Sequence, residues 1–152
     1  MYSTACRVGA ITAGLSRAEI EAATLFGLRY GMAFQIVDDI LDLVATDEQL
    51  GKPAGHDLIE GVYTLPVIRA INGGGPGAQR LRELLGHPIS DEAMHEARAI
   101  VREGSAIRSS LDVARHYISE ATAALETIGP SEAATALSAA AEHLLDSLST
   151  IV

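Results

Sequence analysis

The chain has 152 residues, of which 48% are hydrophobic and 4% aromatic, and its formal net charge at pH 7 is -9. This length fits one domain with a real core, and the acidic balance argues against nucleic acid and anionic membrane surfaces as partners. A single cysteine, Cys6, excludes an intrachain disulfide. With no apolar run of about 18 residues and no signal-peptide pattern, we expect a cytoplasmic protein without membrane insertion.

The predicted elements are all helical, because alanine and leucine dominate and no alternating strand pattern is present. Ser16 and Glu19 form a predicted capping box at the start of the second and longest helix. Gly27 and Gly31 in that helix are four residues apart and predict a close contact with another helix. The predicted helices cover residues 2–13, 17–45, 57–71, 77–85, 90–103, 105–128 and 131–148.

Three carboxylates interrupt the apolar second half of the longest predicted helix. Asp38, Asp39 and Asp42 are the only charged side chains from residue 30 to residue 44. Burying an unpaired carboxylate is costly, so this arrangement predicts a bound cation. At helical spacing the three carboxylates and Gln35 fall within an arc of about 100°, and hard oxygen ligands suit Mg²⁺. The alternative is a solvated acidic patch on a surface helix.

Two linked motifs cover residues 34–66. The first reads F-Q-x-x-D-D-x-x-D, and the second, after a short loop, reads G-K-x-x-G-x-D-L-x-E-G-x-x-T-L-P. In order and spacing they resemble the trans-isoprenyl diphosphate synthases, or polyprenyl synthetases. The resemblance implies an all-α, isoprenoid-synthase-type helical bundle. This chain would be the C-terminal part only, folded as one domain over residues 1–152.

The resemblance also implies a reaction and its metal. Family enzymes condense isopentenyl diphosphate with an allylic diphosphate, and Mg²⁺ stabilises the departing diphosphate. Asp38, Asp39 and Asp42 would then be catalytic metal ligands, with Asp38 binding Mg²⁺ directly. Lys52 would be the fourth catalytic residue because a cation in the loop can neutralise a diphosphate oxygen. The alternative for Lys52 is a solvated loop lysine.

Substrate contacts follow from the same resemblance. Phe34 would line the wall near the second substrate, and Gln35 would orient the diphosphate or its water shell. Lys52 would contact phosphate, and Asp57 would lie behind the metal shell. For Asp57 a purely structural reading stays open, because Asp57 and Glu60 also fit a capping box.

The sequence contains one D-D-x-x-D, whereas family enzymes carry another on an earlier helix, together with a Lys-Thr pair. Met1 would therefore be an internal methionine of a longer ancestral protein or a start codon created by truncation. We expect the chain alone to be inactive and to form a homo-oligomer or bind a synthase partner chain through exposed apolar residues around Phe34, Ile36, Val37 and Leu41. The alternative is a non-catalytic helical remnant or a regulatory subunit that binds another synthase.

Overall fold

The computed structural model describes residues 1–46, 48, 51, 54–85 and 89–149, apart from the side chains of residues 148 and 149. In that part of the chain the regular structure is α-helical and no β-strand occurs, so the all-α prediction is confirmed. None of the helices there is long and apolar enough to cross a membrane. The described helices are α1 (Tyr2–Thr12), α2 (Arg17–Val44), α3 (His56–Ile59), α4 (Leu65–Asn72), α5 (Gly75–Leu84), α6 (Asp91–Glu103), α7 (Ala106–Leu125) and α8 (Glu132–Ser149).

The chain divides into two compact units. The first comprises Met1–Gln35 and Val113–Thr150, and the second contains Ile36–Asp112. Helices α2 and α7 each contribute residues to both units. The carboxylates predicted to bind metal belong to the second unit, whereas Phe34 and Gln35 belong to the first.

In the first unit, α1 packs against α2 at the two predicted glycines. A Cβ atom at Gly27 would lie 2.6 Å from the carbonyl oxygen of Tyr2 and 2.9 Å from Sγ of Cys6. A Cβ at Gly31 would lie 3.1 Å from Cδ2 of Tyr2. The Tyr2 ring also meets the Tyr30 ring edge-on, with ring centroids 5.2 Å apart. The predicted close contact is therefore confirmed, and α1 is the partner helix.

The start of α2 carries the predicted capping box. The backbone N–H of Ser16 donates to Oε2 of Glu19 at 2.7 Å, and the backbone N–H of Glu19 donates to Oγ of Ser16 at 3.4 Å. Hydrogen bonding of the Glu19 carboxyl group to the side chain and to the backbone N–H of Ser16 lowers the pKa of that carboxyl group. Two donors that the helix itself cannot satisfy are thereby paired at this end.

The predicted helix over residues 57–71 is wrong, because the chain breaks it into α3 and α4. The backbone N–H of Val62 turns back and donates to the carbonyl oxygen of Asp57 at 2.8 Å. Gly61 has a φ of +74°, a left-handed conformation that ends a helix and favours glycine. The next helix starts afresh, with Pro66 in its first turn, where its missing N–H costs nothing.

The predicted capping box at Asp57 is not formed either. Gly55 precedes the first residue of α3 and has a φ of +79°, while Asp57 lies inside the first turn of that helix. The Glu60 carboxylate instead lies 3.2 Å from Nε2 of His56, an exposed pair one turn apart. The structural reading of Asp57 as a cap is therefore wrong.

Helices α4, α5 and α6 pack against one another in the second unit. Val67, Leu81 and Val101 are each at most 1% exposed and form the centre of this packing. At the surface, the Arg80 guanidinium in α5 donates two hydrogen bonds to the Glu96 carboxylate in α6, at 2.6 and 2.8 Å. The packing matters for the site because α6 carries a buried arginine that reaches the end of α2.

Candidate active site

Three carboxylates lie in the last two turns of α2, as predicted, but their exposure differs. Asp38 is exposed, whereas Asp39 is 8% exposed and Asp42 is 5% exposed. Apolar residues beside these aspartates are buried, and Ile40 and Leu43 are at most 1% exposed. Asp38 is thus solvent-exposed, whereas Asp39 and Asp42 are buried.

Asp42 organises the chain that follows α2. Its Oδ2 atom accepts a hydrogen bond from the backbone N–H of Asp57 at 3.4 Å. Its carbonyl oxygen accepts from the backbone N–H of Gly55 at 2.8 Å. Its Oδ1 atom is buried and has no hydrogen-bond partner among the described residues. Buried carboxylate oxygens are normally paired, so Oδ1 is a candidate contact for a cation or another polar ligand.

Arg98 is a residue of this region that sequence reasoning missed. It lies in α6, is 9% exposed, and donates from Nε to the Leu43 carbonyl at 3.0 Å and from Nη2 to the Ala45 carbonyl at 2.8 Å. Helix α2 has no basic residue in its own last turn, so Arg98 supplies a cation at the negative end of that helix. The sequence held one signal, because Arg98 falls on the apolar face that Met94 and Val101 define.

The other predicted site residues have the following positions. Gln35 is exposed and precedes Asp38 by three residues on α2. Phe34 is 37% exposed, and its ring centroid lies 5.2 Å from that of Tyr2. Phe34 and Gln35 both line a groove of about 390 Å³ within the first unit. Asp57 is half-buried in α3, and Lys52 lies outside the described residues.

The expectation of an exposed apolar surface is partly wrong. Ile36 and Val37 are only 6% and 2% exposed, and both belong to the second unit. Phe34 is exposed as expected, and Leu41 is half-buried. Further exposed apolar side chains of the first unit lie on α1 and α2. We call this set the apolar stripe; it consists of Val8 (56% exposed), Ile11 (54%), Leu25 (41%), Leu28 (47%) and Met32 (43%).

The donor atoms at the end of α2 fit a hard divalent cation in kind. Asp38, Asp39 and Asp42 offer carboxylate oxygens, which Mg²⁺ prefers, and Oδ1 of Asp42 lacks a protein partner. Within the described residues, no group of three or more histidine, cysteine, aspartate or glutamate side chains is arranged to hold one ion. Mg²⁺ commonly binds through one or two carboxylates and completes its shell with water and substrate phosphates. The set therefore fits such a site only with ligands from elsewhere.

The sequence comparisons all match this chain to polyprenyl diphosphate synthases. The family model described as polyprenyl synthetase matches residues 1–103. Heptaprenyl diphosphate synthase component 2 of Bacillus subtilis is 33% identical over 144 residues, which cover 95% of this chain and 41% of that protein. Nonaprenyl diphosphate synthase of Mycobacterium tuberculosis is 35% identical over 122 residues, which cover 80% of this chain and 36% of that protein.

Solved structures agree in fold. The polyprenyl synthase of Caulobacter crescentus superposes with a TM-score of 0.87 at 34% identity, over 95% of this chain and 44% of that one. Geranylgeranyl pyrophosphate synthase of Corynebacterium glutamicum superposes with a TM-score of 0.86 at 32% identity, over 95% and 45%. Both were crystallised with calcium and isoprenyl diphosphate. The chain therefore spans less than half the length of each of these relatives.

Proposed function

Because the chain belongs to the polyprenyl synthetase family, we propose that it carries one acidic half of a prenyltransferase site. The reaction is the Mg²⁺-dependent condensation of isopentenyl diphosphate with an allylic diphosphate. The observation that carries the proposal is Asp42, a buried residue whose Oδ2 and backbone carbonyl oxygen accept hydrogen bonds from the following segment, while its Oδ1 has no partner among the described residues. Calcium and isoprenyl diphosphate in the two solved relatives support ligands of the same chemical class here.

In this reaction the allylic C–O bond breaks and the diphosphate leaves with the bonding electron pair. The double bond of isopentenyl diphosphate supplies the pair for the new C–C bond, and a proton is then lost from the adduct. Asp38, Asp39 and Asp42 would hold the metal. When bound, Mg²⁺ supplies positive charge that stabilises the departing diphosphate. Lys52 would add a second positive charge at a phosphate oxygen.

The residues of this chain hold the acidic groups in place before substrate arrives. Asp42 accepts hydrogen bonds from the backbone N–H groups of Gly55 and Asp57, which restrain its side chain and the chain around it. A carboxylate held in this way needs little reorganisation when charge develops. Gln35 and Phe34 would act at the substrate, orienting the diphosphate and forming the wall of the pocket, respectively.

Further polypeptide is needed to complete such a site. Leu25, Leu28 and Met32 are spaced to share one side of α2, and each is more than 40% exposed. Contiguous exposed apolar surface commonly marks an interface. We propose that a second copy or a synthase partner chain covers the apolar stripe and supplies the missing acidic ligands. The name of the Bacillus subtilis relative, component 2, is consistent with a synthase of more than one chain.

A second function rests on the same stripe. A non-catalytic subunit that regulates another synthase would also need an exposed apolar surface. The two functions differ in one requirement. The catalytic one depends on the carboxylate of Asp42, whereas the regulatory one does not.

The test is a complementation assay with radiolabelled isopentenyl diphosphate and allylic diphosphates of increasing length. The chain alone should give product near background, since each lost transition-state contact costs about 3 kcal/mol, or about a hundredfold in rate. Adding the part of the Caulobacter crescentus synthase that the match leaves uncovered should restore product in the presence of Mg²⁺. Asp42→Asn should prevent the rescue, while Asp146→Asn, at an exposed position in α8, should not.

Three outcomes would contradict the proposal. Robust product from the chain alone would mean that no further acidic segment is needed. A complex that assembles but yields no product, or product that is insensitive to Asp42→Asn, would favour the regulatory function instead.

A further inference from the structure

We infer that Arg98 is a positioning residue that holds the acidic end of α2 against the segment 55–57. The inference rests on the proposed function of the aspartates, since what Arg98 positions is Asp42. Arg98 would act through the backbone, at residues 43 and 45 and at residue 55.

On one side, the guanidinium of Arg98 binds the carbonyls that end α2. Nε donates to Leu43 and Nη2 to Ala45, at 3.0 and 2.8 Å, across 55 and 53 residues of sequence. Both acceptors lie within three residues of Asp42. A planar guanidinium offers several donors in a fixed fork, so one side chain can bind two neighbouring carbonyls. Lysine, with one ammonium group, cannot reproduce this geometry.

On the other side, the stem of Arg98 packs on Gly55. A Cβ atom at Gly55 would lie 2.9 Å from Cδ of Arg98 and 2.7 Å from Sδ of Met94, so a larger residue there would displace one of these side chains. The left-handed φ of +79° at Gly55 adds a second requirement for glycine. The backbone of residue 55 is therefore in direct contact with the arginine stem, at the point where its N–H donates to the carbonyl oxygen of Asp42 at 2.8 Å.

These contacts form one connected set. Arg98 holds residues 43 and 45, Gly55 packs on Arg98 and bonds to Asp42, and the backbone N–H of Asp57 bonds to Oδ2 of Asp42. Without the guanidinium, the end of α2 would lose two hydrogen bonds to α6. The two hydrogen bonds that restrain Asp42 would then weaken. The carboxylate would then have to be reordered each time a metal–diphosphate ligand binds, which weakens binding.

The experiment uses the full chain and two readouts. Amide hydrogen exchange at Gly55 reports the restraint on Asp42 without any ligand, and a ³¹P NMR titration of inorganic pyrophosphate with Mg²⁺ reports the site. The variants are Arg98→Met and Arg98→Lys. Arg102→Met is a charge control at an exposed position on the same helix, and Val101→Ala is a stability control at a buried position one turn from Arg98.

Arg98→Met should accelerate exchange at Gly55 by about tenfold more than Val101→Ala does, as expected for losing hydrogen bonds to a buried charged group. It should also weaken pyrophosphate binding severalfold, with Arg98→Lys intermediate and Arg102→Met unchanged. If Arg98→Met does not fold, Arg98→Lys provides the test. Lysine keeps the charge and most of the aliphatic stem but lacks the forked donors of the guanidinium.

The possible failures are separable. A wild-type chain that binds pyrophosphate, beside a folded Arg98 variant with the same affinity or with unchanged exchange at Gly55, overturns the inference alone. Equal effects of Val101→Ala and Arg98→Met on both readouts also overturn it, since Arg98 would then act only through global stability. A wild-type chain without any response to Mg²⁺ and pyrophosphate contradicts the proposed function and the inference together.

Discussion

Replacing Asp42 by asparagine should make the free chain more stable and at the same time remove its response to Mg²⁺ and pyrophosphate. Asp42 is 5% exposed, and its Oδ1 atom has no hydrogen-bond partner within the described residues. Asparagine keeps an oxygen for the backbone N–H of Asp57 and removes the buried charge. A local feature that costs stability in the free protein is expected at a functional site, where the ligand supplies what is missing.

The size of the gain follows from the position of Asp42. It lies in the last turn of α2, where the helix dipole disfavours an anion by about 0.3–1 kcal/mol. Asp38 and Asp39 lie four and three residues away on the same helix, and each like-charge pair costs about 0.2–0.5 kcal/mol. Arg98 already places a cation at this end of α2, which reduces the dipole contribution. We therefore expect an increase of about 1 kcal/mol in the free energy of unfolding at neutral pH.

Urea unfolding, followed by circular dichroism with and without Mg²⁺ and pyrophosphate, measures both effects. Asp146→Asn is the matched control, because Asp146 lies in the last turn of α8 but is exposed. The control should gain less stability and keep the ligand response. Ligand should stabilise the wild type according to its occupancy of the folded state and leave Asp42→Asn unchanged. An Asp42→Asn chain that is less stable than wild type, or that responds to ligand like wild type, would refute the reasoning.

Two further predictions concern the helices that precede the site. Gly27→Ala should be less stable than Gly9→Ala by about 1–3 kcal/mol, although both gain about 1 kcal/mol of helix propensity. A Cβ at Gly27 would lie 2.6 Å from the carbonyl oxygen of Tyr2, whereas a Cβ at Gly9 has no neighbour within 4 Å; equal urea midpoints would contradict this contact. Ser16→Ala should lower the free energy of unfolding by about 1 kcal/mol at neutral pH. Because hydrogen bonds from Ser16 lower the pKa of Glu19, the stability lost in Glu19→Gln should be present above the ordinary glutamate pKa. It should vanish as the pH falls through the lowered one, which urea titrations at several pH values would measure.

Features that depend on neighbours within one or two helical turns could be predicted from the sequence. The capping box of Ser16 and Glu19 formed as predicted, since both partners lie within one turn. The linked motifs over residues 34–66 predicted the family from local sequence, and the family comparison confirmed it. Gly27 and Gly31 predicted a close contact because glycine spacing on a helix is local, although it did not reveal that α1 is the partner.

Which of these groups are buried, and which residues hold them, depends on how the helices pack. Periodicity placed three carboxylates on one arc, but only the surrounding helices leave Asp38 exposed and bury Asp39 and Asp42. Burial depends on which faces other elements cover, and that information lies outside the helix. The same reason explains Arg98, whose guanidinium binds the Leu43 carbonyl across 55 residues of sequence. No pattern within a few turns encodes so distant a contact, because it exists only once α6 has packed against the end of α2.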